Sequence, residues 1–151
     1  FRSRAERDAI EAAVDLLASA ETIYLIGLRR SFPVTSYMSY AMGKLGVRNL
    51  LVDAVAGMGA EQAGFISAKD TVLAVSFTPY ASETVALTAT AKARGARIVA
   101  ITDSIFSPIA APSDAMIEVS EGNFEGFRSI AATMALGMTL AVAVAARRGE
   151  G

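Results

Sequence analysis

Two short segments carry the side chains best suited to chemistry: Gly27-Leu-Arg-Arg-Ser31 and Ser76-Phe-Thr-Pro-Tyr-Ala-Ser-Glu83. Ser31, Ser76, Thr78 and Ser82 offer hydroxyl donors. Arg29 and Arg30 offer charge-assisted bonds to a phosphate or carboxylate. The second segment joins an apolar strand run, Thr71 to Val75, to a helical pattern from Ser82 to about Arg94. Lys92 and Arg94 fall in the last turn of that pattern, and Gly95 stands as its stop. A strand that feeds a hydroxyl-rich loop into a helix N-terminus suits an anion. The first amides of a helix lack partners, and its dipole places partial positive charge there. A competing reading is plain capping, since Ser and Thr precede helices to satisfy the helix's own amides. Arg29 and Arg30 read equally as solvated surface residues, and the residues alone leave both choices open.

Three charged positions carry weaker signals. Glu83 is either a first-turn acid that suits the dipole, or a group that hydrogen-bonds a sugar hydroxyl or acts as a base beside a carbonyl. Asp103 reads as a turn or cap residue. Arg128 is placed at the opening of the last helix, where a cation opposes the dipole, so a ligand or a neighbouring subunit is expected as its partner.

Composition narrows the chemistry. The chain has no Cys and no His, which removes disulfides, thiolate nucleophiles, the Ser-His-Asp triad and most zinc sites. Neither a metal nor a cofactor is expected. A net charge of −1 gives no basic surface for nucleic acid in this chain. At 151 residues and 53% hydrophobic, one domain with a substantial core is expected. The chain opens on Phe1 without a signal-peptide pattern, which reads as a piece with an upstream domain cut away. Ser129 to Ala146 carries no charge, but its Ala, Gly, Thr and Met content favours a buried or dimer-forming helix over a membrane span.

The elements that must position these residues alternate. A first amphipathic helix covers residues 2–18, with Ile10, Ala13, Val14 and Leu17 at helical spacing. A strand at Ile23 to Ile26 leads through the first loop to a helix opened by Pro33 and stopped at Gly46. A short strand, Leu50 to Val52, and a short helix or turn within 57–65 precede the strand at Thr71. Further strands follow at 95–102 and 114–119, with a loop and possible short helix over 103–112 between them. A polar loop over 120–126 and a final helix from Phe127 to Arg148 complete the chain.

Near-continuous apolar strands alternating with helices mean a three-layer αβα sandwich around a five-stranded parallel sheet. The common doubly wound, flavodoxin-like order 2-1-3-4-5 makes the first and third strands neighbours, and ligands bind beyond their carboxyl ends. That topology brings both hydroxyl segments to one crevice. A dinucleotide reading is weaker. Gly27 and Asp53 sit where a glycine and a ribose-binding acid would, but Arg29 and Phe32 occupy glycine positions of G-x-G-x-x-G.

These residues resemble the SIS (sugar isomerase) phosphosugar-binding domain over nearly the whole chain. The likeness is greatest to the C-terminal effector domain of RpiR-type transcriptional regulators. A G-x-G-x-S loop is matched at Gly27 and Ser31, with Arg29 for the second glycine. The motif S-x-S-G-x-T-x-E is matched at Ser76 and Glu83, with Thr78 keeping a hydroxyl, Pro79 replacing glycine and Ala81 replacing threonine. The run Ala100 to Ala110 is similar to A-I-T-D-x-x-x-S-P-L-A, and Phe127-Arg-Ser129 to the start of the family's last helix. The resemblance implies a cytoplasmic domain that forms a homodimer or higher homo-oligomer, binds a phosphorylated sugar or related small acid, and meets DNA only through an N-terminal helix-turn-helix domain outside this chain. The family's isomerases commonly pair a glutamate with a histidine. This chain has no histidine, so a non-catalytic role is expected, with aldose–ketose isomerisation as the alternative, Glu83 acting as base and Tyr80 or a residue of a partner chain standing in for histidine. A domain kept only for dimerisation is a third expectation.

Overall fold

A computed structural model describes residues 3–121, 123–124 and 127–150, with side chains described for 3–121 and 129–149. Helix α1, Arg4–Ala18, opens with a capping box: the Ser3 hydroxyl accepts from the Glu6 amide, and the Glu6 carboxylate accepts from the Ser3 amide. Strand β1, Ile23–Ile26, leads through a 3₁₀ turn at Arg29–Ser31 into α2, Phe32–Lys44, which carries Pro33 in its first turn. Strand β2 is Asn49–Val52 and helix α3 is Gly59–Ala63. Then come β3, Thr71–Val75; α4, Ser82–Ala93; β4, Arg97–Thr102; and β5, Ala115–Glu118. A two-stranded antiparallel ribbon, β6 (Asn123–Phe124) and β7 (Phe127–Arg128), precedes α5, Ala131–Glu150.

Five strands form one parallel sheet in the order β2-β1-β3-β4-β5, as the alternation of elements predicts. Side chains alternate across it. Leu25, Leu73, Val75, Val99 and Ile101 face a core shared with α1, α2 and α5, where Leu17, Met38, Met42, Leu136, Leu140 and Val144 are buried. Tyr24, Ile26, Val72, Ala74, Ile98 and Ala100 face the other core, closed by Ala63, Ile66, Leu87 and Ala91. Burial on both faces explains why β1, β3 and β4 read as unbroken apolar runs. Ile26 pairs with Ala74, so the chain leaves β1 and β3 at the same edge of the sheet.

Two expectations need correction. The final helix begins at Ala131, not Phe127. Its start is fixed by side chains: Ser129 Oγ accepts from the Ala131 amide, and the Glu121 carboxylate accepts from the amides of Ala132 and Thr133 and from the Thr133 hydroxyl. Arg128 therefore lies on β7 and does not open the helix, so the argument from an unfavourable dipole lapses. Its side chain lies outside the described residues. The segment 103–112 forms turns without a helix. Ser104 Oγ accepts from the Phe106 amide and Ser107 Oγ from the Ile109 amide, which offers the backbone a local alternative.

Residues 131–149 are long and apolar enough to cross a membrane by length and composition. Here the helix packs on α1 and α2 and buries Leu136, Leu140, Ala141 and Val144. A Cβ added at Gly137 would lie 2.9 Å from Met38 Sδ, so glycine permits the close approach of α5 to α2. Arg147 pairs with Asp15 and Glu11, and Arg148 donates to the Ala18 and Ala20 carbonyls, fastening the end of α5 to α1. Leu140→Ala is expected to lower the unfolding free energy by about 2–5 kcal/mol in detergent-free buffer. Urea denaturation checks this, and an unchanged midpoint would contradict the packing of α5 in the core.

Candidate functional site

Beyond the carboxyl ends of β1 and β3 lies a crevice of about 360 Å³, within the size range of small-molecule sites. Arg29, Arg30 and Ser31 form one wall, Ser76, Pro79 and Ala81 another, and Ser129 a third, with Leu28, Phe77 and Ile130 supplying apolar surface. Ser31 and Ser76 are only 6% and 3% exposed. Neither hydroxyl has a hydrogen-bond partner among the described residues.

Local sequence explains how the first wall forms. A Cβ on Gly27 would fall 2.7 Å from Thr35 Cγ2 and 3.3 Å from Ser31 Cβ, so only glycine lets the start of α2 fold back onto the end of β1. Thr35 Oγ1 lies 3.4 Å from the Gly27 carbonyl and seals that turn. Arg29 takes the left-handed conformation, with φ at 59°. For a residue with a side chain that costs about 1–2 kcal/mol. Glycine takes it freely, and this is the position of the second glycine in the resembled motif.

The second wall bears on whether these hydroxyls are caps. The N-cap of α4 is Ala81, and no side chain caps that helix. Ser31 is the N-cap of α2, yet its side chain makes no capping bond. Helices α1 and α5 behave differently, since Ser3 caps one, and Ser129 and Glu121 cap the other. The helix starts at Ser31 and Ala81 both line the crevice. The dipoles of both helices favour negative charge in that space, and α4 adds free first-turn amides, whereas at α2 the Ser31 and Phe32 amides already donate to the Leu28 and Arg29 carbonyls and Pro33 has no N–H.

The sequence places eight residues near a ligand, and the structure sorts them. Arg29, Arg30, Ser31 and Ser76 line the crevice together. Thr78, Ser82 and Glu83 do not line it, and all three are exposed. Glu83 reaches toward α3, its Oε2 standing 2.7 Å from where a Cβ on Gly59 would be. The eighth, Arg128, has no described side chain. Pro79 lines the crevice and leaves it open, and the Thr78–Pro79 peptide is cis. Ser129 is a lining residue that the sequence singles out only as the start of a helix. Asp53 is held by Gln62 Nε2 at 2.8 Å and by the Val55 amide at 3.1 Å, and these bonds hold its carboxyl below the ordinary range. It shapes the loop after β2 and does not line the crevice. Among the described residues no group of three or more His, Cys, Asp or Glu is arranged to hold a metal ion.

Asp103 plays a part that its place in a turn does not announce. Its carboxylate accepts from the Tyr80 hydroxyl at 2.6 Å and from the Thr78 amide at 2.9 Å. The loop after β3 is thus tied to the end of β4. Burial opposes ionisation of Asp103, but the bonds from Tyr80 and Thr78 prevail and hold its carboxyl below the ordinary value.

A doubly wound α/β protein with an anion-favouring crevice at its switch point is the class these features define. The chain belongs to the SIS domain family, whose model matches residues 16–143. It is similar to the sugar isomerase domain of an RpiR transcription factor from Sphaerobacter thermophilus, at 26% identity and a TM-score of 0.87, over 95% of this chain and 80% of that one. The fold also matches the Vibrio vulnificus NanR protein complexed with ManNAc-6P, at 21% identity and a TM-score of 0.76, over 95% of this chain and 54% of that one. E. coli CFT073 c3406 in complex with A5P matches at 18% identity and a TM-score of 0.78, over 95% of this chain and 86% of that one. No curated protein sequence gives a significant match.

Asp103→Asn is expected to cost about 1–2 kcal/mol at neutral pH, because the side chain then offers a weaker, neutral acceptor to the Thr78 amide and the Tyr80 hydroxyl among its donors. The folded carboxyl titrates below its ordinary value, so its contribution is complete above that value and is lost as pH falls through the folded one. The gap between wild type and variant in urea denaturation should therefore be full at pH 7 and shrink well below about pH 4. A gap independent of pH would contradict the ionised latch.

Proposed function

We propose that this domain is the effector-sensing and dimerisation module of a cytoplasmic transcriptional regulator, and that its crevice binds a phosphorylated sugar. One observation carries the reading: the starts of α2 and α4 meet without side-chain caps around the unpartnered hydroxyls of Ser31 and Ser76. A phosphate has the charge and the acceptor oxygens to satisfy both. The likeness to an RpiR regulator domain and the sugar phosphates bound by NanR and c3406 support the same ligand class. Contact with DNA falls to a domain outside this chain. Glu83, the base that isomerisation would call on, stands away from the crevice, which favours sensing over catalysis.

Occupancy can control DNA only if the ligand binds two arrangements of the assembly unequally. The outer face of α5 offers a surface for that assembly, since exposed Ala132, Ala135, Thr139, Val142 and Ala146 bring no charge to it. Two copies packed through this face would bury a patch that is costly to leave in water.

Thermal-shift screening of sugar phosphates tests the site. A ligand at a hundred times its Kd is expected to add about 2.7 kcal/mol, a Tm rise of several degrees. Ser31→Ala with Ser76→Ala should abolish that rise, and a rise that persists places the site elsewhere. Sedimentation tests the assembly. The wild type is expected to be a dimer at micromolar concentration and Val142→Asp a monomer, and a monomeric wild type would remove the regulator reading.

A further inference from the structure

The crevice holds more positive charge than one phosphate needs. Uncapped helix starts and the Ser31 and Ser76 hydroxyls already make a cradle for a phosphate. Arg29 and Arg30 add two guanidinium groups to the same wall. Neither has an ion-pair partner among the described residues, and no residue lining the crevice is acidic. Both side chains are exposed, so solvent screens their mutual repulsion, but Arg29 also sits at a φ of 59°, which side chains disfavour. The free protein thus holds an unfavourable backbone conformation and an unbalanced pair of charges at one point of one wall.

We infer that the ligand carries two anionic groups: a phosphate in the cradle of helix starts and hydroxyls, and a carboxylate or second phosphate on Arg29 and Arg30. This rests on the phosphosugar reading and narrows it to a phosphorylated sugar acid or a sugar bisphosphate. Guanidinium is the side chain best suited to that second group, because its planar fork meets two oxygens of a carboxylate or phosphate at once. Ser129 and the apolar surface of Leu28, Phe77 and Ile130 remain for the carbon chain between the charged ends.

Calorimetric titration of the chain with four probes separates the possibilities: inorganic phosphate, glucose 6-phosphate, 6-phosphogluconate and fructose 1,6-bisphosphate. At least one of the two-anion ligands is expected to bind about tenfold or more tighter than glucose 6-phosphate. Tighter 6-phosphogluconate identifies a carboxylate as the second group, and tighter fructose 1,6-bisphosphate a second phosphate. The preference should fall to about twofold or less in Arg29→Gly and in Arg30→Gln. Arg29→Gly should keep or raise the Tm, since glycine adopts this backbone freely, which separates lost recognition from lost folding. Equal affinity for the three sugar phosphates, or a preference that survives in both variants, overturns this inference and leaves the phosphosugar reading standing. Failure of all four probes to bind overturns both.

Discussion

Because β1 and β3 run side by side in parallel, with Ile26 beside Ala74, the helices that follow them begin at the same end of the sheet. Neither start is satisfied by a side chain, so two positive dipole ends share one space. Everything else at the site depends on this adjacency. Gly27 lets α2 begin close to β1, and Ser31 and Ser76 are buried because the loops that hold them emerge next to each other. With another strand between β1 and β3, the same residues would stand as two ordinary helix starts with nothing in common.

The sheet fixes where the loops start, but the crevice also needs a fixed outer wall. Asp103 provides it from the neighbouring strand. By accepting from Tyr80 and Thr78, it turns the segment after β3 from a free loop into a bridge between β3 and β4. The third wall comes from the far end of the chain, where Glu121 and Ser129 pin the start of α5 and place Ser129 in the crevice. Three crossovers therefore meet around one small volume, and the wide apolar contacts behind them keep each in place.

Much of this was legible in the chain. Buried strands such as Val72 to Val75 could hardly be read otherwise, and Pro33, Gly46 and Gly95 mark helix limits within a residue or two. The convergence of the Gly27 and Ser76 loops followed from topology alone. What sequence could not give was the direction of side chains within the second loop. Thr78, Ser82 and Glu83 carry the right chemistry at the right distance along the chain, yet they do not line the crevice. That placement accompanies a contact to Asp103, 25 residues away from Thr78, which no local pattern encodes. The start of α5 was misread for a similar reason. Nothing local in Phe127-Arg128 forbids a helix, but the cap supplied by Glu121 and Ser129 comes only at Ala131.

A comparison among the helices ties stability to function. This chain caps α1 and α5 with side chains, so its composition does not prevent capping. At α4 it leaves the side-chain cap unmade, forgoing about 1 kcal/mol, and at α2 a 3₁₀ turn takes the place of a cap. At Arg29 it accepts a left-handed backbone at a further cost of about 1–2 kcal/mol. Both features lie at the crevice, although the loop after β2 also holds Ala54 and Ala56 in the left-handed region and α3 also starts without a side-chain cap. Poor packing does not account for them, since the strands beneath are fully buried. An anion that enters the crevice can satisfy groups which the fold has left open there.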